Sequence, residues 1–341
     1  YVVPFRVVVG ARLGVLVLGA LGGALGAWLT LKALLRVNPQ GERVIERVER
    51  VTVAAEDALA SAAATMAPHT VALMDASGRT LRHAIAVTTD GVLVGVGAAP
   101  RGDLKAQRLS GDVLPVSVVR SYPEAGVFFL RASGSFSVPE IERDLPLPGS
   151  SLAAVALAQG GEGPRVQVVT VEATTFGGRV LASYPALVRM PLLGRALPPS
   201  FLGTPLVGTD GRLRGLSLVE RDGTYLIPGS VIEFLLQDFL RNADEASVSL
   251  LQGVRGQWRE ERRDDQRTHV FRVRDVAANT PFEDAGLRSG DDIRGVHGIS
   301  LSGELPLFSP LLGAVRGNTS VILNVRRGTD EVTAAVSPVV R

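Results

Sequence analysis

Hydrophobic positions divide the chain into stretches of different period. From Leu13 to Leu31 nineteen residues pass without a charge, which at about 1.5 Å per residue covers a hydrocarbon core of roughly 30 Å. The pattern predicts a transmembrane helix inside an anchor of residues 1–37. Arg6 and Arg12 precede it, Lys32 and Arg36 follow it, and Trp28 sits where an indole favours the interface. The stretch exceeds the apolar core of a cleavable signal, and Ala27-Trp28-Leu29 is a poor cleavage site. Gly19, Gly22, Gly23 and Gly26 carry the small-residue spacing that lets a second membrane helix approach closely. The ordinary abundance of glycine in such helices explains them equally well.

Asn38-Pro39 ends or bends that helix. Val44, Val48, Val51, Ala55, Ala58 and Ala62 then recur at four and three residues, one seam of a helix. Residues 38–66 are expected to form a helical stalk, which pairs with another helix or lies on its own domain. From 67 to 241 the period shortens. The runs His69–Met74, His83–Thr88, Val92–Val96, Val113–Val119, Val127–Arg131, Leu152–Leu157, Val166–Val171 and Leu213–Leu218 are separated by Gly, Pro and Asp, as in an all-β barrel or sandwich. Asp90-Gly91, Asp210-Gly211 and Asp222-Gly223 mark tight turns. Val231–Leu240 returns to helical spacing, residues 242–249 form a polar linker, and residues 250–341 form a second domain.

Composition narrows the chemistry. The 341 residues are 46% hydrophobic and 21% charged, enough for two packed domains. With no cysteine, thiolate zinc sites, iron–sulfur clusters, disulfides and a cysteine nucleophile are excluded. Thirty-six basic residues against 34 acidic ones leave +2, too little for a phosphate-neutralising surface, so no nucleic-acid partner is expected. No HExxH pair, P-loop or dinucleotide fingerprint is present, and Gly160-Gly161-Glu162-Gly163 suits a hairpin loop. Neither a cofactor nor a metal is expected.

The ordered blocks VTTDGVLVGVGAA, YPEAGVFFLRA, PGSSLAAVALA, TPLVGTDGRLRGLSL and YLIP, after an anchor and stalk, resemble the HtrA family of trypsin-fold proteases in its DegS-like arrangement. Asn279–Ile293, with Ala285-Gly286-Leu287 and Gly290-Asp291, resembles the SPAxxAGLxxGDxI motif of bacterial PDZ modules. The resemblance implies a mainly β chain: a transmembrane helix and stalk, a trypsin-like double β-barrel over 67–241, and an α+β PDZ domain over 250–341. It further implies a peptide-binding loop at Leu251, Gln252, Gly253 and Val254. Pro310 falls inside the expected groove helix 307–315, where it would remove a hydrogen bond and crowd the preceding turn.

The family's chemistry does not carry over. The general-base histidine falls on Ala98, the orienting aspartate on Gly126 and the nucleophilic serine on Leu202. Triad catalysis needs a nucleophile, a base and a group that fixes the base's tautomer, and none of these side chains moves a proton. Ser200 lies two positions away with no aligned base, and the histidines are His69, His83, His269 and His297. The expectation is therefore a pseudoprotease, not an enzyme. Anchored in a bacterial inner membrane with its folded domains on the periplasmic side, it would serve as an accessory or scaffold subunit among integral-membrane partners. The alternative is a PDZ-based sensor of C-terminal peptides that regulates an active envelope protease, joined to it as an oligomer.

Overall fold

Strand β3 (Val92–Val96) explains the continuous apolar runs, because it is buried along its whole length. Alternation sends Leu93 into the interior of one barrel, while Val92, Val94 and Val96 join the large cluster on its other face. The same division recurs on β7 (Ser151–Gly160), where Leu152, Ala154 and Ala156 fill a second barrel and Ala153 and Val155 face the shared cluster. A strand buried on both faces loses the polar alternation of a surface strand.

The computed structural model describes residues 56–160, 163–176, 190–242, 253–263, 266–302 and 306–337. The expected span at 13–31, with Gly19, Gly22, Gly23 and Gly26, lies outside them, as do stalk positions 44–55. Among the described residues no helix is long and apolar enough to cross a membrane. From Asp57 onward the chain forms one compact unit.

The first closed barrel has the order β1 (Thr70–Met74), β2 (Thr80–Ala86), β3, β6 (Val127–Ala132), β5 (Val113–Tyr122), β4 (Leu104–Arg108). The second runs β10 (Pro205–Val207), β11 (Leu213–Glu220), β12 (Gly223–Pro228), β9 (Pro191–Leu193), β8 (Gly163–Phe176), β7. The barrel reading holds, and Gly160 pairs with Gly163 across the expected hairpin. Strands β4, β9 and β10 have no counterpart among the sequence-read runs. Lys105 and Gln107 give β4 little apolar signal, and β9 and β10 have three residues each.

Helix α1, residues 56–66, buries Leu59, Ala62, Ala63 and Met66 in the shared cluster. Its described turns therefore lie on their own domain, with Ala58 half-buried beside that face. Helix α2 (Gly229–Arg241) closes the barrel pair through Val231, Ile232, Leu235 and Phe239.

The C-terminal sheet has the order β13 (Val254–Arg263), β14 (Gln266–Val276), β15 (Asp292–Val296), β17 (Val321–Arg327), β18 (Asp330–Val336), with β16 (Ile299–Ser300) paired to β15. In a short helix within the Asn279–Ile293 motif, α3 (Pro281–Asp284), the Thr280 side chain caps the amide of Glu283. Leu287 is buried beyond it. Asp291 and Asp292 are also buried; Arg327 grips Asp291 through two bonds of 2.8 Å, and Arg272 and Arg326 grip Asp292 at 2.6–2.8 Å. Burial pushes both carboxyls up, and these guanidiniums outweigh it, holding them below the usual carboxylate range. The Pro310 expectation needs correction. Helix α4 (Phe308–Gly317) begins only two residues before it, and its first backbone bond runs from Leu311 N to Leu307 O at 3.2 Å. Pro310 thus occupies the first turn, where an amide has no intrahelical acceptor to lose.

Candidate functional site

Two adjacent residues of β2 tie together the loops of interest. The backbone N–H of His83 donates to Leu202 O at 2.8 Å, and the Arg82 guanidinium donates to Val96 O at 3.0 Å and Ala98 O at 2.7 Å. Gly97 N in turn donates to Gly126 O at 2.8 Å. Ala98, Gly126 and Leu202, far apart in sequence, are thereby linked through one strand.

Gly126 ends the 3₁₀ turn Pro123–Ala125 in the left-handed region (φ 63°), and a β-carbon there would meet nothing within 4 Å. An aspartate would fit this position, since Asp tolerates that conformation better than most residues. Leu202 follows the 3₁₀ turn Pro199–Phe201, is half-buried and packs on the shared cluster. The next residue must be glycine: Gly203 has φ 80°, and a β-carbon would lie 2.2 Å from His83 O.

An acyl-transfer site aims the amide of its nucleophile residue at the oxyanion. Here Leu202 N donates to Pro199 O at 3.1 Å. The buried hydroxyls nearby serve the same turn, for both Thr204 Oγ1 and Ser217 Oγ donate to Phe201 O. Ser200 is exposed on the turn.

His83 is buried, with Nε2 3.0 Å from Leu157 N and 3.1 Å from Leu157 O. Burial lowers its pKa, so the imidazole is held neutral and serves β7. His69 ends a 3₁₀ turn, His269 lies on β14, and His297 lies in the turn between β15 and β16. Among the described residues no cluster of three His, Asp or Glu side chains could hold a metal.

Two features escaped the sequence reading. Glu124, inside Pro123-Glu124-Ala125-Gly126, is 1% exposed and its Oε1 has no hydrogen-bond partner among the described residues. Burial pushes its carboxyl up to about 7. A glutamate before Ala-Gly in a turn reads as solvated, so no local signal marks it. The second is a joint between the barrels and the C-terminal domain. Asp238 of α2 accepts from Tyr122 Oη of β5 at 2.6 Å and from Arg316 of α4 at 3.1 and 2.8 Å. Arg120 of β5 donates to Asn242 O at 2.5 Å, and the Phe129 and Phe239 rings stack 5.2 Å apart beneath. Burial pushes the Asp238 carboxyl up, but the Arg316 and Tyr122 bonds outweigh it and hold it below its usual range.

Of the expected peptide-binding loop, Leu251 and Gln252 lie outside the described residues. Gly253 has φ 135°, and its carbonyl accepts from Ala277 N at 2.6 Å. Buried Val254 opens β13, which stands at the edge of its sheet among the described strands.

No protein-family model and no curated protein matches the chain. Solved structures do. A serine endoprotease from Yersinia pestis is 16% identical with a TM-score of 0.53, covering 81% of this chain and 95% of that chain. The HtrA-type protease AlgW with decapeptide is 16% identical with a TM-score of 0.54, covering 82% and 97%. A variant of AlgW with tripeptide is 17% identical with a TM-score of 0.58, covering 83% and 97%. This chain therefore has the double-barrel fold of the HtrA-type serine proteases.

Proposed function

We propose that this chain is a non-proteolytic, membrane-anchored HtrA-like protein that serves as an accessory or scaffold subunit of an inner-membrane assembly. The observation that carries the first half is Leu202. An alkyl group stands where the resemblance puts the nucleophile, its amide bonded to Pro199 O, and β2 bonds both Leu202 O and Ala98 O. A barrel pair without catalysis retains its packing and docking surfaces. The anchor reading of 13–31 places those surfaces beside integral-membrane partners, on the periplasmic side by the family resemblance.

Extraction of the full-length protein from its own membranes in mild detergent, followed by size exclusion and mass spectrometry, tests this reading. Stoichiometric integral-membrane subunits support it. Recovery alone, or with an active protease, overturns it.

A sensor reading is favoured by one observation: β13, behind Gly253, stands at the edge of its sheet among the described strands, where an extended peptide can add as a further strand. The similar AlgW structure is one with decapeptide. Anisotropy of labelled peptides with free C-termini, compared with amidated controls, tests it; equal binding of both, or of neither, removes it.

A further inference from the structure

The 3₁₀ turn Pro123–Ala125 is held at both ends by bonds to other parts of the molecule. Before it, Tyr122 Oη is bonded to Asp238, which also holds Arg316 of the C-terminal domain. After it, Gly126 O accepts from Gly97 N in the loop that follows β3. Between these two ties the turn carries Glu124 into the interior. The side chain is 1% exposed with Oε1 unpartnered among the described residues, and Ala125 beside it is fully buried. A carboxylic acid tolerates that environment while neutral; the carboxylate does not.

We propose that the turn 123–126 is a proton-operated catch between the barrels and the C-terminal domain: with Glu124 protonated the turn stays seated, and loss of the proton drives the side chain toward water and loosens the Tyr122–Asp238–Arg316 joint. The proton goes to solvent and no other chemistry is required. The charged and titratable groups on the surrounding elements are Arg120 and Tyr122 of β5, Glu233, Asp238 and Arg241 of α2, Arg316 of α4, Arg82 and His83 of β2 and Arg131 of β6; Glu233 pairs with Arg143, and His83 is bonded to Leu157. Arg120, Tyr122, Asp238 and Arg316 belong to the joint itself. Arg82 is bonded to the backbone of Val96 and Ala98, and Arg131 pairs with Asp90 at 2.6 Å on the surface. Burial places the carboxyl's titration near pH 7, so the catch works across neutrality.

The absence of native cysteine permits a direct test. Leu147 of the barrel domain and Ile299 of the C-terminal domain are both exposed, and Leu147→Cys with Ile299→Cys accepts a donor–acceptor dye pair in the full-length protein in detergent. Transfer efficiency is expected to change between pH 5.5 and 8.5 with a midpoint near 7. Glu124→Gln holds the acid-side value throughout, Glu124→Met does the same should the glutamine variant fold poorly, and Asp238→Asn holds the alkaline-side value. An unchanged midpoint in Glu124→Gln assigns the transition to another group and overturns the proposal. A flat profile in the parent protein also overturns it, because the carboxyl then ionises in place.

Discussion

Two buried titratable side chains pull stability in opposite directions with pH. Glu124 is raised from 4.5 to about 7, so the native state holds a proton the unfolded chain has released, and stability falls as pH rises across that window. The interval corresponds to about 3 kcal/mol, and Glu124→Gln should flatten it in urea titrations made at successive pH values. His83 is lowered by burial, so its contribution is complete above its ordinary pKa of 6.5 and is lost as pH falls below that value. His83→Gln should remove this acid-side loss while leaving the Glu124 slope unchanged. Ala98→His with Gly126→Asp and Leu202→Ser introduces a base, a carboxylate and a hydroxyl at the three candidate positions but leaves the amide of residue 202 bonded to Pro199 O. Turnover of a fluorogenic peptide by that triple variant should stay about 10²–10³-fold below an intact site, the usual cost of one missing oxyanion donor.

At the scale of elements, the turns that carry these residues are intolerant where backbone meets backbone. Gly203→Ala would place a methyl 2.2 Å from His83 O at φ 80°. It should cost more than about 2 kcal/mol, read as a lower midpoint in thermal unfolding. Pro310→Ala, in the first turn of α4, should shift that midpoint by little, since Pro is tolerated there. The same elements show what could be read in advance. Runs such as Val92–Val96 and Leu152–Leu157 announced strands through continuous burial. Residues 281–290 announced a short turn of helix ending at Gly286, while the Thr280 cap on it came only from the structure. β4 stayed hidden because Lys105 and Gln107 break its apolar pattern. The assignment of Ala98, Gly126 and Leu202 to triad positions came from the family resemblance, whereas the Leu202–Pro199 bond was not legible at all, because a single carbonyl's orientation leaves no mark on residue type. Glu124 and the Asp238 joint were likewise invisible: the joint pairs residues 78 to 122 positions apart, and Glu124 is defined by an absence of partners among the described residues.

For the whole molecule, Asp238 decides whether barrels and C-terminal sheet respond as one body. Its side chain is 10% exposed and that of Arg316 15%, so removing the acceptor leaves a guanidinium and a phenol without their shared partner. Asp238→Ala should cost the joint about 3 kcal/mol. Differential scanning calorimetry should then separate one broad transition into two, the C-terminal domain melting first. The edge strand β13 carries a consequence for handling the protein at high concentration. An unpaired strand border is a template on which further chains can stack into a growing sheet. Exposed Arg255, Arg259 and Glu260 punctuate that border with charge, which must be desolvated before two backbones can meet. Arg255→Val with Arg259→Val removes part of that cost, and light scattering should then report fibrous self-assembly that the parent protein lacks.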